Sequence, residues 1–80
     1  MPAETATTAK PVVYTIRGCS ACVKLLADFE RRGIAYDERR VELDQAVLDE
    51  ARHFGDMVPI VVWPDGTTEQ GFEGTLGCFI

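Results

Sequence analysis

Two cysteines separated by two small residues, Cys19-Ser20-Ala21-Cys22, are the side chains best suited to do chemistry in this sequence. A pair at this spacing, placed where a strand gives way to a helix, reads as a redox motif. The spacing puts Cys19 at the N-cap or first turn, where unsatisfied backbone N–H groups and the positive end of the helix dipole favour a thiolate. Only the thiolate attacks a disulfide, so lowering the Cys19 pKa raises its reactive fraction at neutral pH. Arg17, just ahead of the pair, adds positive charge nearby. Cys22 follows one turn later on the apolar side of the helix and is expected to be the less exposed thiol. The roles follow from that asymmetry. Cys19 attacks a substrate disulfide to give a mixed disulfide, and Cys22 resolves it.

Two further residues bear on the chemistry. A structural zinc site completed by His53 and Cys78 is disfavoured, because such sites usually bring a second closely spaced ligand pair and these residues stand alone. His53 reads as a surface or helix-end residue, since thiolate chemistry needs no separate base. Cys78 is either a buried or fraying terminal cysteine, or a third thiol able to form a mixed disulfide or a dimer link. No metal and no bound cofactor are expected.

The elements that must position the pair are legible from hydrophobic period. Pro11 to Ile16 is β-branched and aromatic and predicts a short buried strand. Gly18 breaks it. From Ser20 to Arg32, Cys22, Leu25, Leu26 and Phe29 form a helical face, with Lys24, Asp28 and Arg31 on the other side. Gly33 suits a left-handed stop. Ile34 to Val41 predicts an exposed strand. Asp44 caps a second helix whose apolar face is Val47, Leu48, Ala51 and Phe54, ended by Gly55. Val58 to Trp63 is an apolar run read as one strand, and Pro64-Asp65-Gly66 turns the chain back into Thr67 to Gln70. Trp63 reads as core or hairpin packing. Glycines punctuate the end, Gly71 to Ile80. The order β-α-β-α-β-β predicts an α/β fold: a four-stranded mixed sheet with flanking helices, its first half a parallel crossover unit. Residues 1–10 read as a flexible tail and 11–80 as one domain.

Composition narrows the partners. The 80 residues carry thirteen acidic and eight basic side chains, a net charge of −5. That balance argues against binding a phosphate backbone, and the pairs Arg31-Arg32 and Arg39-Arg40 are interrupted by carboxylates. The start is acidic and polar rather than a secretory leader, and no apolar run reaches membrane-spanning length. Three cysteines do not make a secreted disulfide scaffold. A cytoplasmic protein is expected, with neither nucleic-acid nor membrane partners.

Taken together, these motifs resemble the glutaredoxin family within the thioredoxin fold. The resemblance runs from Val12 to Gly74 and rests on Val13-Tyr14-Thr15 before the pair, Cys19-x-x-Cys22, Val58-Pro59 before the third strand, and Gly71-Phe72 after the fourth. It implies that Pro59 is the family's cis-proline beside the cysteines, leaving the Val58 backbone to pair with a bound peptide or glutathione. It also implies that Gly71 and Phe72 frame the substrate, making Arg17, Val58, Pro59, Gly71 and Phe72 the candidate binding residues. The chain departs from the family at Ile16, where a lysine is common, at Ser20-Ala21 in place of Pro-Tyr, and at Met57 in place of Thr. Gln70-Gly71-Phe72-Glu73 replaces a Gly-Gly-acidic turn, and its Gly-Phe resembles redoxins that reduce ribonucleotide reductase. The resemblance therefore implies a dithiol oxidoreductase acting on protein disulfides or glutathione mixed disulfides. Its electrons come from glutathione or from a donor of the thioredoxin-reductase type. An iron–sulfur or metal carrier using Cys19 and a binding module without turnover are the alternatives. The family's last helix is missing, a shortened C-terminal element. Phe79 and Ile80 are expected to fold over the sheet face so exposed, or a second copy to cover it as a homodimer.

Overall fold

Val12-Val13-Tyr14-Thr15, a run of β-favouring side chains, forms β1 (Val12–Thr15) at the centre of a computed structural model that describes residues 10–72 and 77–80. Residues 1–9, and with them most of the expected tail, lie outside the described residues, as do Glu73 and Gly74. β2 (Asp37–Arg40) pairs parallel with β1. β4 (Ile60–Val62) pairs antiparallel on its other side, and β5 (Thr68–Gln70) pairs antiparallel with β4. The four-stranded mixed sheet therefore has the order β2-β1-β4-β5. The expected α/β, thioredoxin-like arrangement is present.

Helix α1 (Ser20–Arg31) links β1 to β2, and a 3-10 turn (Val41–Leu43) leads to α2 (Gln45–Phe54). The strand alternation sorts the core onto the two sheet faces. Val12, Tyr14 and Ile60 join Val41, Val58, Cys19, Cys22 and the α2 residues Val47, Leu48 and Ala51. Val13 and Val61 turn the other way and meet Leu25 and Phe29 of α1. Phe29 is 1 % exposed, and its ring lies 6.0 Å from Tyr36 and 5.7 Å from Trp63. Burying a side chain of this size stabilises the fold by roughly 2–3 kcal/mol.

α1 ends as Gly33 predicts. The Gly33 N–H donates to Glu30 O (3.1 Å) and the Ile34 N–H to Phe29 O (2.8 Å), with Gly33 at φ +73°. This pair of bonds is a Schellman motif, and the positive φ is cheap only for glycine. Asp44 caps α2 by accepting from the Ala46 N–H at 2.9 Å.

Several expectations are corrected. The buried stripe of α1 is Ala21, Cys22, Leu25, Asp28 and Phe29, so Asp28 is buried rather than on the outer side, and Leu26 is only half-buried. The stripe is rotated toward the groove between α1 and the β4–β5 hairpin. Asp28 is neutralised there by Arg31 and by Arg32 at 2.9 Å. On α2 only Ala51 is buried, and Phe54 is 40 % exposed beside Tyr14. The strand expected over residues 34–41 begins only at Asp37, because Ile34 and Tyr36 pack against the α1 face instead.

The run from Val58 to Trp63 is not one strand. The Val58–Pro59 peptide is cis, and Pro59 has no N–H for a ladder. The chain divides there into β3 (Met57–Val58) and β4, and β3 faces a different partner. That partner is β6 (Cys78–Phe79), an antiparallel strand that the sequence did not predict. Phe79 does not fold over the sheet. It is 73 % exposed, while Ile80 packs against the cluster that holds the thiols.

Candidate functional site

The site is built at the junction of β1 and α1. Gly18, at φ +81°, turns the chain out of the strand, and the Cys19 N–H bonds back to Ile16 O at 3.3 Å. Cys19 then adopts extended backbone angles as the N-cap of α1. Its Sγ accepts from the Cys22 N–H at 3.2 Å, the position a serine or aspartate oxygen usually takes. The helix has no acidic residue in its first turn to oppose a negative sulfur.

The two thiols are held in opposite electrostatic states. Burial pushes the Cys19 thiol up, but hydrogen bonds from the thiol and backbone of Cys22, and then from the thiol and backbone of Cys78, bring it below the ordinary value. Burial, followed by the hydrogen bond to Cys19 and the Cys19 charge, pushes Cys22 far above it. Cys78 is raised, chiefly by its hydrogen bond to Cys19. Of the three thiols, Cys19 is therefore the one disposed to ionise first.

Exposure does not separate the pair as expected. Cys19 is 1 % and Cys22 2 % exposed. Cys19 is enclosed by the β3 side of the site, where the Val58 carbonyl lies 3.8 Å from its Sγ and both Val58 and Pro59 are buried. Cys19 and Cys22 are distinguished by hydrogen bonding, not by access.

The structure brings Cys19, Cys22, Val58 and Pro59 together. Gly71, at φ +76°, donates its N–H to Pro59 O at 3.0 Å and so braces the cis-proline from behind. Phe72 packs on the Leu25–Phe29 side of the sheet and lines a shallow groove of about 500 Å³ with Arg32, Trp63 and Gln70. That groove contains neither thiol. Arg17 is exposed, its backbone N–H bonded to Glu42 at 3.2 Å, and its guanidinium is not among the main groups favouring the Cys19 thiolate. His53 is exposed on α2, and among the described residues no three His, Cys, Asp or Glu side chains converge as a metal site requires. Trp63 donates its indole N–H to Glu69 at 2.9 Å and is hairpin packing.

Sequence reasoning left Cys78 between a buried or fraying cysteine and a third thiol, and did not count it among the site residues. The structure sets it in register with Val58 and packs it against the cluster that contains Cys19 and Cys22. Its only sequence signal is being an unpaired cysteine behind a glycine.

A dithiol at a helix N-terminus beside a cis-proline, on a sheet of this order, defines a thioredoxin-fold redox protein. The glutaredoxin family model matches residues 12–66, and the chain belongs to that family. Among solved structures it is similar to the thioredoxin-like protein BC3987, with 30 % identity over 80 % of this chain and 89 % of that one at a TM-score of 0.72. The T8A mutant of BC3987 matches at 29 % identity over 80 % of this chain and 88 % of that one, again at a TM-score of 0.72. No match is found among curated proteins. Membership supports thiol–disulfide redox function in general. Among the described residues no helix is long and apolar enough to cross a membrane.

Proposed function

We propose that this chain is a dithiol reductase of protein disulfides or of glutathione mixed disulfides. The observation that carries the reading is the N-cap sulfur of Cys19, which accepts from the Cys22 N–H at 3.2 Å beside the Val58–Pro59 segment and has its pKa brought below the ordinary value. The Cys19 thiolate attacks one sulfur of the substrate disulfide. A Cys19–substrate S–S bond forms, the substrate S–S bond breaks, and the leaving thiolate takes a proton from solvent. Cys22 loses its proton and attacks Cys19 Sγ, releasing the second substrate thiol and leaving a Cys19–Cys22 disulfide. Two electrons pass from protein to substrate. Transfer of the first charge away from Cys19 removes two of the causes that hold the Cys22 thiol protonated, its hydrogen bond to the thiolate and the thiolate's charge.

The oxidised pair is returned to dithiol by glutathione or by a thioredoxin-reductase-type flavoprotein. Gly71-Phe72 in place of a Gly-Gly turn favours the second donor, in a reducing compartment such as the cytoplasm. The test is NADPH oxidation with a disulfide substrate, comparing glutathione plus glutathione reductase with thioredoxin reductase, on wild type and Cys19→Ser. Turnover with either donor that falls to background in Cys19→Ser is expected. No Cys19-dependent turnover with either would overturn the reading in favour of a carrier or a binding module.

A further inference from the structure

We propose that Cys78 is a third redox thiol of this chain and closes an intramolecular disulfide with Cys19 before Cys22 resolves the site. The proposal rests on the thiol–disulfide reading above and adds a residue and an intermediate to it.

Three independent features place Cys78 there. The first is register. β6 lies antiparallel on β3 with Cys78 opposite Val58, the residue whose carbonyl is 3.8 Å from Cys19 Sγ. Opposed residues in such a ladder have Cα atoms only ~4.5–5.5 Å apart. The second is Gly77. A Cβ there would stand 1.6 Å from the Val58 carbonyl oxygen and 3.1 Å from Pro59 Cδ, so only glycine lets the chain run this close to the cis-proline. The third is the anchor beyond the cysteine. The Ile80 N–H donates to Asp56 O at 2.9 Å, and Ile80 packs on the cluster that contains Cys19 and Cys22.

This seat is the one through which an extended peptide would add to β3, since an open strand edge accepts a further strand by its backbone groups. β6 fills it and sets a thiol on the cluster that holds Cys19. The seat is also easily vacated. β6 has two residues, is only partly buried at Cys78, and leaves Phe79 73 % exposed. With Cys19 1 % exposed, an incoming disulfide reaches it when β6 lifts, and β6 then returns.

For a small disulfide R–S–S–R the steps balance. The Cys19 thiolate attacks, Cys19–S–S–R forms, and one RS⁻ leaves. Cys78 gives its proton to solvent and attacks Cys19 Sγ, so the Cys19–Cys78 bond forms and the second RS⁻ leaves. The protein has lost two electrons and R–S–S–R has become two thiols. In the wild type Cys22 then attacks Cys19 Sγ, and Cys78 departs as the thiol it was. The effect is to clear an adduct without waiting for the more deeply held Cys22 thiol.

The test uses the full chain carrying Cys22→Ser, with Cys22→Ser/Cys78→Ser beside it, each reduced and then treated with hydroxyethyl disulfide. Intact mass and non-reducing peptide mapping read the outcome. Cys22→Ser is expected to lose two hydrogens and yield a Cys19–Cys78 linked peptide, with no adduct retained. The double variant is expected to keep the hydroxyethylthio adduct on Cys19. If Cys22→Ser keeps the adduct while Cys78 still alkylates, or if Cys78 links only between two copies, the proposal is overturned and the reductase reading stands. If the double variant takes no adduct on Cys19, both fall together. A cooperative melt verifies folding, and Cys22→Ala, which buries no hydroxyl, replaces Cys22→Ser should that variant not fold.

Discussion

At the N-cap of α1 a sulfur takes the place of the oxygen that satisfies the first turn of most helices, and its charge state follows from that substitution. The Cys22 N–H and the neighbouring thiols are worth more to a thiolate than to a thiol, so they outweigh the cost of burial at Cys19. Alkylation of the reduced protein with iodoacetamide should therefore titrate with a midpoint below the ~8.5 of a free thiol, and Cys19→Ser should remove that phase. Cys22 carries the opposite sign. Its folded pKa lies above its unfolded value, so its contribution to stability is complete below ~8.5 and is lost as pH rises beyond it. Cys19, depressed in the fold, contributes above its unfolded value and loses that contribution as pH falls through its folded pKa. Urea unfolding of wild type between neutral pH and pH ~10 should show stability falling at the alkaline end. Cys22→Ala should show a shallower fall, and an unchanged slope would contradict the assignment.

Among the elements, the two helices are held to their lengths by local devices that can be removed singly. Asp44→Ala takes away the acceptor for the Ala46 N–H and should cost about 1 kcal/mol, read as a lower urea midpoint with unchanged slope. Gly33→Ala forces a Cβ into φ +73° at the Schellman turn, with open space around it, so the cost is conformational and about 1 kcal/mol. Strand β3 illustrates a different rule. The residues around Pro59 are uniformly apolar, yet Val58 and Ile60 serve two sheets, one with β6 and one with β1, because Pro59 between them has no N–H for a ladder. The active-site edge is a consequence of that division. Tyr14 and Arg39, both bonded to the Glu50 carboxylate, tie β1, β2 and α2 together on the face where the thiols lie, with Tyr14 Oη 2.7 Å from Glu50.

For the whole molecule, the small core leaves little reserve. A domain of this size holds a net stability of the order of 5 kcal/mol. Phe29 joins Val13, Leu25 and Val61 to the rings of Tyr36 and Trp63. Its truncation to alanine should cost about 3–5 kcal/mol, leaving a large unfolded fraction at 25 °C by circular dichroism. If Phe29→Ala melts cooperatively within a few degrees of wild type, that side of the core is less decisive than its burial implies. Leu43 and Phe79 are 71 % and 73 % exposed. The homodimer expected from the sequence, a second copy covering a sheet face, is a proposal, and sedimentation showing a monomer at micromolar concentration removes it.

What the sequence determined by itself was whatever depends on short range. The switch from strand period to helix period located β1 and α1, Gly33 and Asp44 marked helix ends through backbone geometry, and Cys19-x-x-Cys22 at a helix start implied a thiolate nucleophile. Those signals are local because a cap, a turn or a helix dipole acts within a few residues. Asp28, the division at Pro59 and the place of Cys78 were decided only by the tertiary structure. Asp28 is buried because α1 lies rotated toward the β4–β5 hairpin, and its period admitted either rotation. β6 is a strand because β3 offers it an edge, and two residues have no pattern of their own. Cys78 joins the cluster of Cys19 by pairing with Val58, a long-range placement that no spacing in the sequence encodes.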